Sequence, residues 1–146
     1  MAHQSSFDIR SASDFLHKMV LPQYSEFTAK NSSSRHALLA MLVAYHMYEW
    51  VHANKFSKGH FAENYRSEPG MADIFELART IVNGTKHFSE GARTTTQTGY
   101  SSAYSDAYAR PLNVELPDGS TESADRIIRK MVDFWKSQEE MGKIPG

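Results

Sequence analysis

The sequence predicts a mainly α fold, a four-helix bundle with a β-hairpin or small meander inserted at about 90–122, before the last helix. Three observations support this. Residues 35–56 form a long apolar stretch; residues 71–88 and 123–141 carry apolar stripes at helical spacing; and Leu112-Asn113-Val114-Glu115-Leu116 alternates like a strand ahead of a Pro117-Asp118-Gly119 turn. The chain has 146 residues and 40% apolar content, enough for one compact core, and it contains no internal repeat or linker that divides it, so residues 1–146 are read as one domain.

In chain order, Ser11-Ala12-Ser13-Asp14 ahead of Phe15, Leu16, Met19 and Val20 reads as a capped helix start, with Phe15/Met19 and Leu16/Val20 as i,i+4 pairs. Pro22 is expected to kink or end that helix, and Tyr24 and Phe27 to carry a second segment onward. Asn31-Ser32-Ser33-Ser34 offers N-caps to the 35–56 helix. There Leu38, Leu39, Met41, Leu42, Val43, Tyr45, Met47, Tyr48, Trp50 and Val51 cover every side, the pattern of a central hub. Residues 57–69 read as a polar loop with a short helical turn near Phe61 and Tyr65. In the last helix, Ile127, Ile128, Met131, Val132 and Trp135 form the stripe that closes the bundle.

Composition narrows the function classes. The formal net charge is −1, too weak a field to gather phosphate backbones without a local basic patch. The absence of cysteine rules out disulfides, thiolate nucleophiles and iron–sulfur clusters and suits a reducing compartment. Residues 1–6 lack an apolar signal core, and the longest apolar run, 37–45, is about half a membrane span, so a soluble cytoplasmic protein is expected.

Two polar constellations stand out. Between positions 74 and 87, Ile74, Leu77, Ala78, Ile81 and Val82 share one helix face, while Arg79, Asn83, Lys86 and His87 fall within roughly 100° of arc on the other. Two cations, an amide and an imidazole therefore project together. On the hub helix, Arg35, His46 and Glu49 share a strip roughly 60° wide beside Leu42. Buried charges need partners, so Glu49 is expected to face a cation such as Arg35, Arg79 or Lys86 and His46 to bond to a neighbour in a polar network that fixes helix register, or, where this strip and the polar side of residues 71–88 share a groove, Glu49 is expected to raise the pKa of His46. If both strips line one groove, proton transfer near neutral pH becomes feasible.

Other chemistry is poorly represented. Glu49-Trp50-Val51-His52 is a Glu-x-x-His unit without the second copy that a di-iron bundle needs. His3, His17, His36, His46, His52, His60 and His87 contain no His-x-x-x-His pair, so neither a metal nor a cofactor is expected. No Gly-x-Ser-x-Gly elbow, phosphate-cradling glycine loop or dinucleotide fingerprint occurs. Tyr100, Tyr104 and Tyr108, with Arg93 and Arg110 nearby, recur every four residues and offer a stacking surface for bases or a partner.

A helical bundle carrying Asn83-Gly84-Thr85-Lys86-His87 resembles the HEPN superfamily, small helical bundles that are often dimeric and often metal-independent ribonucleases of toxin–antitoxin and phage-defence systems. The family pattern is an Arg, a polar residue that is often Asn, about three residues and a His. Asn83 and His87 match it, whereas Val82 stands at the place of the Arg. The resemblance implies His87 as acid or base, Lys86 or Arg79 as phosphate stabiliser, Asn83 as orienting group, and Glu49, His46 and Arg35 in support. The chain is also similar to small bacterial and phage-associated proteins in which a His-x-x-Glu-Trp helix, here His46 to Trp50, precedes an Asn-x-x-Lys-His helix, a β-hairpin and a terminal helix. Two functions are thus expected. One is an RNA-processing or RNA-binding module; the other is a non-catalytic, homodimeric interaction or small-ligand-binding protein with a possible protein partner.

Overall fold

The computed structural model describes residues 7–86, 94–96, 112–116 and 118–146. His87, Tyr100, Tyr104 and Tyr108 lie outside the described residues. The elements in order are α1 (Ala12–Phe15), a π-helical turn (Leu16–Val20), α2 (Leu21–Ala29), α3 (Ser34–His52), α4 (Lys58–Asn64), α5 (Pro69–Lys86), β1 (Thr94–Thr96), β2 (Leu112–Glu115), β3 (Thr121–Ser123) and α6 (Ala124–Glu140). The class is the expected one: a mainly helical bundle with a small antiparallel sheet before the last helix.

Serine starts four of these helices. Ser11, Ser33, Ser57 and Ser123 each hold an extended backbone and accept, through Oγ, the backbone N–H of Asp14, His36, His60 and Arg126 respectively. Each cap satisfies a donor that the first helical turn leaves open. Ser57 thereby turns part of the expected 57–69 loop into a true helix, which seats Phe61 and Tyr65 in the core.

Pro22 neither ends nor breaks the first helix, which runs on from α1 into α2. The π turn just upstream is the reason: the Leu21 N–H reaches back to the Leu16 carbonyl, and this wider turn makes room for a ring that clashes with the carbonyl four residues earlier in a regular helix. Helix α3 ends at Ala53, held in the left-handed region at φ 53° while its N–H bonds the Glu49 carbonyl at 2.8 Å. A side chain is strained there, so Ala53→Gly is expected to raise stability by about 0.5–1 kcal/mol, read as a higher midpoint in thermal melts.

Helix α3 lies between α2 and α5, with α6 packed behind. Its buried residues Ala37, Ala40, Met41, Val43, Ala44, Met47 and Tyr48 face the core, and α6 meets it at Ala44. Fully buried Trp135 donates its indole N–H to the Ala44 carbonyl at 2.9 Å. Every residue of the predicted α6 stripe is buried. Around Tyr48 an aromatic core gathers Phe56, Phe61, Tyr65, Phe75, Phe134 and Trp135, with Phe61 and Phe75 centroids 5.3 Å apart and Phe75 and Trp135 5.6 Å apart.

The expected hub pattern, apolar on every side, is corrected in one respect. Opposite Ala44, α3 turns a strip to solvent: Arg35, Leu39 and Glu49 are exposed, and Leu42 and His46 are partly so. Among the described elements, α1, the π turn, α2, α5 and α6 all pack on α3 and leave Arg35, Leu39 and Glu49 open.

The sheet has the order β1-β2-β3, antiparallel throughout, with Thr95 opposite Asn113 and Val114 opposite Glu122. Among the described positions of β2 and β3 before the Ser123 cap, Val114 is buried. Between β2 and β3 the Leu116 N–H bonds the Ser120 carbonyl at 2.8 Å, and Gly119 adopts φ 87°, a conformation that suits glycine at a tight turn. The turn leads through β3 directly into the Ser123 cap of α6. Among the described residues, no helix is long and apolar enough to cross a membrane.

Candidate functional site

Helix α5 runs antiparallel to α3: Phe75 packs on Tyr48 with centroids 6.3 Å apart, and Arg79, one turn further on, acts electrostatically on Tyr45, one turn back. The Tyr45 hydroxyl also feels Glu49 and Glu76, and burial is the main cause of its raised pKa. Tyr45 thus lies within electrostatic reach of Glu49 on its own helix and of Glu76 and Arg79 on α5. Arg79 does not stand open to a ligand there. Its Nε donates to both Glu76 oxygens at 3.1 Å and its Nη2 to Oε1 at 2.7 Å, a forked pair within one helix.

The antiparallel register sorts the other predicted residues by level. Arg35 and Glu49 share a face but sit about 21 Å apart along α3. Helix α5 continues unbroken to Lys86 and finishes near the Arg35 end of α3, away from Glu49. Asn83 is partly buried.

Two electrostatic expectations are corrected. Glu49 and Arg35 are solvated, so neither carries the cost of a buried charge, and among the described residues neither has an ion-pair partner. His46 has a pKa below the ordinary imidazole value, because its burial outweighs the attraction of Glu49. Exposure weakens the carboxylate's field while the imidazole itself loses water.

A second cluster was not singled out from sequence. At the C-terminal end of α3, His52 Nε2 and the Tyr65 hydroxyl are 2.6 Å apart, while the Tyr48 hydroxyl pairs with His60 Nδ1. The two imidazoles meet edge to face at 5.3 Å, and Asn64 Nδ2 donates to the His60 carbonyl at 2.8 Å. Burial pushes Tyr48 up to about 12 and Tyr65 higher still, and it pulls His52 down to about 4 with His60 adding to the effect. The hydroxyls thus keep their protons, and with His52 held neutral the Tyr65 hydroxyl donates to His52 Nε2. Protonated tyrosines so held are poor nucleophiles. They close the aromatic core with a satisfied polar rim. The sequence signals were Tyr48 and His52 at i,i+4 and a serine cap three residues before His60.

Beside this end of α3, Glu49, Trp50, Ala53, Asn54 and Lys55 line an open groove of about 620 Å³. Trp50 stacks on Phe15 with centroids 5.1 Å apart, which fixes the indole as the groove wall. Among the described residues, no group of three or more His, Asp or Glu side chains is arranged to hold a metal ion. Comparison with family models, curated proteins and solved structures returns no match.

Proposed function

We propose that the protein is a non-catalytic interaction module of the cytoplasm that works as a homodimer. One observation carries this reading: the solvent-facing strip of α3 places Leu39, 41% exposed, and Leu42 between polar ends on a helix that is otherwise the core of the fold. Exposed apolar side chains in the middle of a central helix favour a partner surface. The charged and ring-bearing groups near it are committed to internal contacts, with Arg79 on Glu76, Tyr48 on His60 and Tyr65 on His52. In this reading Tyr100, Tyr104 and Tyr108 supply a surface for a further protein or nucleotide partner. Sedimentation equilibrium of the purified chain tests the proposal: a species of twice the 16.5 kDa chain mass is expected, and a monomer at all concentrations contradicts it.

A second reading, a divergent HEPN-like RNA-binding or RNA-processing module of a toxin–antitoxin or phage-defence type system, draws support from the continuous α5 face of Arg79, Asn83 and Lys86. Because Arg79 is paired with Glu76, the phosphate-stabilising role passes to Lys86 and the acid–base role stays with His87. His87→Ala is then expected to abolish cleavage of labelled RNA with the far-UV spectrum unchanged. Equal cleavage by the variant, or none by the parent, rejects the catalytic form of this reading.

A further inference from the structure

Resting on the homodimer reading, we propose that the dimer forms by antiparallel pairing of α3 with α3 of a second copy, on a two-fold axis through Leu42, with Arg35 of each chain against Glu49 of the other. Arg35, Leu39, Leu42, His46 and Glu49 follow one another at spacings of four, three, four and three residues. That is the seam of a coiled coil, in which a continuous stripe faces a partner helix along its length. Leu42 lies seven residues from Arg35 and seven from Glu49. A two-fold axis at Leu42 therefore brings each cation onto the other chain's carboxylate and each half of the seam onto its complement, as a self-paired interface demands.

The receiving end is shaped for this partner. Glu49 lines the groove beside the end of α3, and its exposed carboxylate is a suitable acceptor for a guanidinium. Lys55 also stands at that groove, on a loop position exposed to solvent. The neighbouring helix adds apolar area. Phe15 stacks on Trp50, and Met19 in the adjoining π turn is 37% exposed. The other described helices give no comparable surface: the exposed positions of α6 are Arg126, Arg129, Asp133, Lys136, Ser137 and Glu140, a solvated charged face. Among the described residues, Phe7, Met19, Leu39 and Met141 are the exposed large apolar side chains; Phe7 and Met141 lie outside the helices, Leu39 belongs to this strip, and Met19 lies in the π turn that packs on α3.

The test is a charge exchange followed by sedimentation equilibrium of the full chain. Arg35 and Glu49 are exposed and have no ion-pair partner among the described residues, so their reversal spares the fold. Arg35→Glu alone and Glu49→Arg alone each set two like-charge pairs across the dimer and are expected to weaken association about tenfold or more, while the double variant restores it to within about twofold of the parent. Single variants that associate like the parent, or a double variant as weak as the singles, overturn the α3 pairing and leave the homodimer reading standing. A parent chain that is monomeric at every concentration overturns both.

Discussion

Trp135→Ala is expected to cost about 3–5 kcal/mol, a large share of the total in a domain whose stability is on the order of 5–15 kcal/mol. The indole is fully buried, stands 4.9 Å from Phe134 and 5.6 Å from Phe75 between ring centroids, and donates to the Ala44 carbonyl at 2.9 Å across α3 and α6. Truncation opens a cavity where α3, α5 and α6 meet. Trp135→Phe keeps most of the packing and removes the hydrogen bond, so it is expected to cost roughly half as much or less. Urea denaturation followed by far-UV circular dichroism separates the two. Equal midpoints for parent and Trp135→Ala contradict the position of this side chain as the centre of the core.

Stability is expected to fall as pH drops from about 6.5 towards 4. The folded state holds His52 neutral, with its pKa lowered to about 4 from an ordinary 6.5, chiefly by burial and also by His60. The unfolded chain therefore takes up a proton through this window before the native state does, so the stabilisation is complete above pH 6.5 and is lost as pH falls. His46, also lowered by burial, adds in the same direction. The ring of His52 is partly solvated, so the contribution is discounted to on the order of 1–2 kcal/mol. His52→Gln still accepts from the Tyr65 hydroxyl but cannot titrate. Its urea midpoint is expected to change less between pH 7 and pH 4.5 than the parent's, and an identical pH dependence in the two contradicts the assignment.

The helical frame was legible because its signals are local. A serine stands immediately before α3, α4 and α6, and the buried stripe of α6 follows from 3.6-residue periodicity alone. Pro22 misled because its effect depends on a π turn that begins six residues earlier, a backbone adjustment with no side-chain signature. The solvent strip on α3 was partly visible: Arg35, His46 and Glu49 share an arc, but sequence cannot tell a buried polar seam from an outer one without knowing where α2, α5 and α6 dock. The Tyr48–His60 and Tyr65–His52 pairs join α3 to α4 across an intervening turn, and such contacts are set by tertiary packing. Arg79 shows the same limit, since Glu76 one turn earlier captures it and periodicity reports only a shared face.

The surface of α3 that meets a second chain can be probed cleanly, because the chain has no native cysteine. Leu42→Cys is expected to be linked into a covalent dimer by a short bis-maleimide, because a two-fold axis through Leu42 places the two thiols side by side, whereas a cysteine at Lys136 on the charged outer face of α6 stays uncoupled. Linkage at Lys136→Cys but not at Leu42→Cys would contradict the proposed pairing directly.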